Sequence, residues 1–140
     1  MIEARALNHV GIAVRSIDSC REFYERTLGA RFAGIETVPE QKVRVAVFLV
    51  GAPGHEVRLE LLEPTAEDSP VARFLEKRGE GLHHLAFEVD RLPERLETLA
   101  AASVPLVDRT ARGGAHGTRI AFLHPRASGG VLVELCEPGD

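Results

Sequence analysis

His9, Glu60, His84 and Glu134 are four residues that could act on one chemical centre. Two imidazoles and two carboxylates make a mixed N₂O₂ donor set suited to a divalent ion, and Mn²⁺, Co²⁺, Ni²⁺ and Zn²⁺ are all compatible with it. With some coordination positions left to water or substrate, such an ion acts as a Lewis acid. A repeat in the chain singles these residues out. LNHVGIAV (7–14) aligns with LHHLAFEV (82–89) at an offset of 75, which sets His9 on His84. EVRLELLEP (56–64) aligns with GVLVELCEP (130–138) at an offset of 74, with five of nine positions identical, and sets Glu60 on Glu134. Two short matches at nearly one offset indicate a duplicated module.

The repeat also separates the adjacent histidines of GLHHLAFEV. Neighbours on a strand point to opposite faces. His83 aligns with the unlike Asn8, so His84 is expected inside and His83 on the back. Alternation puts Arg58, Glu60 and Leu62 on one face of their strand, and Leu132, Glu134 and Cys136 on one face of theirs. A carboxylate buried in so apolar a strand is costly unless it is paired or metal-bound.

The elements that would position these residues recur in the two halves. SIDSCREFYERTLG (16–29) has helical spacing of Ile17, Cys20, Phe23, Tyr24 and Leu28, with Ser16 as N-cap and Gly29 as stop. RLPERLETLAAAS (91–103) repeats this, with Pro93 near the start and Leu92, Leu96 and Leu99 on one face. Strands are expected at 42–50 and 56–62 in the first half, and at 104–109, 119–124 and 130–136 in the second. DSPVARFLEKRGEG reads as a linking helix capped at Ser69 or Asp68 and stopped by Gly79. The expected fold is α+β, with two tandem βαβββ modules forming a curved mixed sheet around a metal-binding cavity and the helices outside. One domain would span 1–140, with module one at about 5–64, the linker helix at about 65–80 and module two at about 81–138.

Composition limits the partners. The 140 residues suit one domain, and 44% apolar with 27% charged is ordinary for a globular protein. No apolar run approaches the ~20 residues that cross a bilayer, and MIEARALNHV has no signal-peptide pattern. Cys20 and Cys136 are too few for a disulfide framework or a cysteine zinc site, so a reduced cytoplasmic setting is expected. A net charge of −4 gives no reason to expect nucleic acid. Between Pro105 and Arg126, however, four arginines (Arg109, Arg112, Arg119, Arg126) face only Asp108. Such a stretch suits the phosphates or carboxylate of an anionic ligand.

LNHVGIAV…FYERTLGA, ELLEP, GEGLHHLAFEVD and GAHGTRIAFLHPRASGGVLVEL together resemble the vicinal oxygen chelate (glyoxalase/bleomycin resistance/dioxygenase) superfamily, and within it most closely the methylmalonyl-CoA epimerases. The resemblance runs from Leu7 to Leu135. It implies paired βαβββ modules, a metal held by His9, Glu60, His84 and Glu134, cobalt as the favoured ion, and a homodimer. Some epimerases carry glutamine where this chain has Glu60. The implied reaction interconverts the C2 epimers of methylmalonyl-CoA, linking propionyl-CoA catabolism to succinyl-CoA.

The chemistry suits such a site. Removing a proton α to a thioester puts negative charge on the thioester oxygen, which a divalent ion stabilises. Inversion needs an acid/base group on each side of C2. Glu134 is the first candidate for one of them. Several epimerases carry a second glutamate where this chain has Val45, and KVRVAVF offers no carboxylate, so Glu36, Glu40 and His116 remain candidates. Arg112, His116, Arg119 and Arg126 are the candidate contacts for an acyl-CoA substrate. The alternatives are a glyoxalase I-like isomerase or lyase acting on a glutathione adduct, and a metal-free ligand-binding resistance protein of the same fold. An extradiol dioxygenase would leave Glu60 unexplained as an extra ligand.

Overall fold

Two of the three α-helices begin where the sequence offers a side-chain cap. The computed structural model describes residues 1–139. In it the Ser16 hydroxyl accepts the Ser19 N–H at 3.2 Å and opens α1 (Ile17–Glu22), while the buried Ser69 hydroxyl accepts the Ala72 N–H at 2.9 Å and opens α2 (Pro70–Arg78). Helix α3 (Leu92–Ala101) has Pro93 in its first turn. Eight strands complete the chain: β1 (Ala6–Ala13), β2 (Arg31–Val38), β3 (Val43–Val50), β4 (Val57–Pro64), β5 (Gly81–Glu88), β6 (Arg112–Gly113), β7 (Arg119–Leu123) and β8 (Val133–Glu137). The order is thus βαβββ, then α2, then βαβββ again, and the fold is α+β.

Residues 9–83 pack as one compact unit, and residues 1–8 with those from His84 onward as the other. In the first, the strands lie in the order β2-β3-β4-β1, with β1 parallel to β4 and the other pairs antiparallel. Alternation sends Val14, Ala46, Phe48 and Leu61 to the face covered by α1, where Ile17 and Ala30 complete a core. Phe48 is fully buried, and its ring lies 5.6 Å from that of Tyr24 and 5.5 Å from that of Phe32. In the second unit the order is β5-β8-β7-β6, with β5 parallel to β8. There α3 brings Leu92, Leu96 and Leu99 onto Val89, Ala121, Leu123 and Leu135, and Ile2 packs against the same cluster.

Some sequence expectations are corrected. The first helix is α-helical only to Glu22, then widens to a π turn over Phe23–Thr27 in which the Leu28 N–H reaches back to the Phe23 carbonyl at 3.0 Å. Gly29, at φ 69°, ends it as expected. Residues 104–109 form no strand beyond a single bridge from Leu106 to Leu123. Pro105 has no N–H to give, and the Asp108 carboxylate takes the Phe122 N–H at 2.9 Å, where a ladder carbonyl would otherwise bond. The strand at this point in the second half is the two-residue β6. Strand β2, which the βαβββ order requires, has no clear signal in the sequence, because a bulge at Ala33 breaks its alternation: Phe32 pairs with Phe48 and Gly34 already with Val47.

The repeat extends to a structural device that the motif alone does not explain. Glu63 accepts the Ile17 N–H at the start of α1 at 3.0 Å and holds Arg44 of the neighbouring strand at 2.7 Å. Glu137 accepts the Arg91 and Leu92 N–H groups at the start of α3 at 2.6 and 3.4 Å and binds Arg119 of the neighbouring strand. The second glutamate of ELLEP and of ELCEP is therefore a helix cap donated from a strand, locked by an arginine directly across the ladder. Glu137→Ala is expected to lower stability by about 1–2 kcal/mol, the usual cost of a lost cap. Chemical denaturation reads this directly, and an unchanged midpoint would remove the capping role.

Candidate metal centre

Apart from the helix cap Ser69, the buried polar residues among those described are His9, Glu60, His84 and Glu134. The same four residues are the ones the repeat selects. None is more than 6% exposed, so each had to be stripped of water as the chain folded. His9 lies on β1 and Glu60 on β4. Gly11 pairs with Glu60, so His9, two residues earlier, shares Glu60's face. The His9 Nδ1 is 3.3 Å from the Glu60 carboxylate, and the Arg58 Nε is 3.7 Å from it.

Burial pushes the Glu60 carboxyl up to about 7, against a partial counter-effect of the Arg58 guanidinium and with a further push from the Glu36 charge. A carboxyl so placed is poised between neutral and ionised near neutral pH, and a cation beside it would hold it ionised.

The second unit holds the matching pair. Register sets Glu134 of β8 opposite Ala86 of β5 and Phe122 of β7, so His84, Phe122 and Glu134 share a face. The His84 Nε2 is 3.9 Å from the Glu134 carboxylate, and the His84 ring meets Phe122 edge-on at 5.5 Å. Ile120, Phe122 and Cys136 are buried together on that face and keep it apolar. His83 points the other way: its ring packs on Phe74 of α2 at 4.9 Å, and burial lowers its pKa to about 4, so it stays neutral. His9, His84 and Glu134 each present an atom able to ligate a metal, whereas Glu60, the fourth ligand expected from the sequence, does not join that group although its carboxylate meets His9. This donor chemistry fits a borderline divalent ion.

The other candidates divide. Arg112, on β6, stacks its guanidinium over the Phe122 ring at 5.6 Å, with Asp108 at 3.5 Å, and so stands one ring away from His84. Arg119 is engaged by Glu137 in the capping device, where Arg44 has the same part in the first half. Arg126 is exposed in a short 3₁₀ turn, and His116 is exposed at left-handed φ 58° in a Gly-flanked turn. Glu40 is exposed in the turn before β3, whereas Glu36 is half-buried on β2. Sequence reasoning placed Glu36 ahead of a strand. Ile35, Thr37 and Val38 were the available signal that it lies within one.

The model of the glyoxalase/bleomycin resistance protein/dioxygenase superfamily matches residues 8–122. The chain belongs to this superfamily. An uncharacterised protein of Bacillus subtilis, YqjC, is 55% identical over 94% of this chain and 91% of its own length. The mitochondrial methylmalonyl-CoA epimerase of Bos taurus is 39% identical over 92% of this chain and 72% of its own. Among solved structures, a methylmalonyl-CoA epimerase variant of Streptomyces coelicolor in complex with 2-nitronate-propionyl-CoA is 37% identical. It covers 98% of this chain and 96% of its own, with a TM-score of 0.89. Methylmalonyl-CoA epimerases are thus among the proteins this chain is similar to.

Proposed function

We propose that this chain is a metal-dependent methylmalonyl-CoA epimerase. The observation that carries the reading is the buried imidazole–carboxylate pair, His9 with Glu60 at 3.3 Å and His84 with Glu134 at 3.9 Å, occurring once in each half of a chain with such epimerases among its relatives. His9, Glu60, His84 and Glu134 together would hold one divalent ion, with cobalt the first choice and manganese, nickel or zinc acceptable. When bound, the ion supplies positive charge to offset the charge that develops on the thioester oxygen.

The chain's own groups do the rest. Glu134 takes or returns the C2 proton. Leu132, Ile120 and Phe122 keep water from the face on which it lies, which strengthens every charge interaction there. Arg112, Arg126 and the exposed His116 are the proposed contacts for the nucleotide phosphates, with Arg119 in second place because Glu137 already holds it. The further proposals are a homodimer acting in the cytoplasm on an acyl-CoA from propionyl-CoA catabolism. No helix among the described residues is long and apolar enough to cross a membrane.

The test is to incubate the metal-loaded protein with one epimer of methylmalonyl-CoA in D₂O, beside a chelated control, and to follow deuterium at C2. Metal-dependent exchange with racemisation is the expected result. No exchange under cobalt, manganese or nickel would sink the reading.

A further inference from the structure

Inverting a carbon centre by proton transfer needs a second acid/base group besides Glu134, and the register of the first unit narrows where it can be. Rows of directly opposed residues share a face. One row runs Gly34–Val47–Glu60 across β2, β3 and β4, and the next runs Glu36–Val45–Leu62. Glu36 therefore points to the face that carries Glu60, one pleat further along and two strands away. Strand spacing makes this roughly 10 Å across and ~7 Å along, measured at the backbone. Two glutamate side chains projecting from those points rise from one face at separate places.

The path from β2 is apolar. Val45 and Leu62, which complete the row with Glu36, are both buried, as is Val38 two residues further along β2. The bulge at Ala33, with Gly34 at φ 133°, resets the alternation just before Glu36, and without it Glu36 would face α1. The Glu36 charge also acts on the Glu60 carboxyl, which agrees with a shared face. Glu40 sits in the exposed turn that follows and joins neither row.

We infer that Glu36 is the second acid/base of the epimerisation, paired with Glu134. This rests on the epimerase reading. In one direction the C2–H bond breaks, its proton passes to one glutamate, and its electron pair moves to the thioester oxygen. As the pair returns to carbon, the carboxylic acid of the other glutamate delivers a proton to the opposite face of C2. One glutamate ends protonated and the other ionised, and one proton exchanged with water at each restores both. Each epimer thus gives up its proton to a different glutamate.

Glu36→Gln, taken with wild type and Glu40→Gln, separates the outcomes. Each metal-loaded protein is given each purified epimer in D₂O, and deuterium at C2 and configuration are followed separately. For Glu36→Gln the expected epimerisation rate falls about 10²–10⁴-fold, the usual worth of a positioned acid or base. One epimer still exchanges its C2 proton with retention of configuration, and the other stops exchanging. Glu40→Gln behaves as wild type, and the visible absorption of bound cobalt is the same in all three. Wild-type rates from both epimers in Glu36→Gln overturn the inference and leave the epimerase reading standing. So does an equal loss from both epimers, which marks damage to the fold or to binding. The one-sided signature appearing in Glu40→Gln overturns it as well. A wild type that exchanges neither epimer overturns the epimerase reading and this inference together.

Discussion

Glu134→Gln is expected to lower the rate of epimerisation by about 10³-fold while leaving the protein folded. The amide keeps an oxygen where the carboxylate stood, so the change removes the capacity to take up a proton and little else in shape. Position makes the effect specific. Glu134 is 4% exposed, is fixed by ladder pairing to Ala86 and Phe122, and faces His84 at 3.9 Å. No solvent-borne base replaces it at that depth. In the metal-free protein the substitution also relieves a buried carboxylate, so its thermal midpoint should hold or rise. Loss of activity without loss of stability is the signature of a chemical role, whereas a fall in both would point to packing.

Glu60→Gln provides the contrast. It removes a charge and keeps an oxygen in the same place, and it is expected to keep the rate within about tenfold of wild type. Equal losses in the two variants would mean that both glutamates serve only as charges around the ion. Comparable rates for Glu134→Gln and wild type would remove Glu134 from the proton path.

The sequence disclosed the inward orientation of the four buried polar residues more readily than it disclosed every strand, for a physical reason. Strands alternate strictly, so a histidine or glutamate recurring at matched positions in two apolar strands states its own orientation. His9, Glu60, His84 and Glu134 were legible on those grounds, and the opposite direction of His83 followed from the same rule. Where alternation fails, so does the reading. The bulge at Ala33 hid β2 and with it the placement of Glu36 on the face of Glu60. Pro105 and the side-chain bond from Asp108 to the Phe122 N–H dissolved a strand that VPLVDR suggested. The second glutamate of each ELLEP-like motif was visible as a repeat, but its partner N–H groups lie 46 residues away for Ile17 and for Arg91. A contact of that sequence separation leaves no local pattern to read. Arg119 drew attention as an anion contact for the same reason: its engagement by Glu137 is a ladder contact across β7 and β8.

Stripping divalent ions with a chelator should abolish activity and lower the thermal midpoint by roughly 10 °C, with both restored by cobalt. Each half of the chain buries one carboxylate beside one imidazole, and such groups favour a cation that binds only the folded state. An ion at a thousand times its dissociation constant contributes about 4 kcal/mol of stability. For a domain of this size each kcal/mol moves the midpoint by roughly 3 °C. Glu60 gives the effect a second origin: burial lifts its carboxyl to about 7 in the metal-free protein, so an ion also secures a charge the fold alone holds poorly. Removing the buried imidazole by His84→Ala should cancel the midpoint shift produced by cobalt. Melting curves that coincide with and without cobalt, manganese, nickel or zinc would rule out a metal centre, and the four buried residues would then be a polar network with no ion to hold.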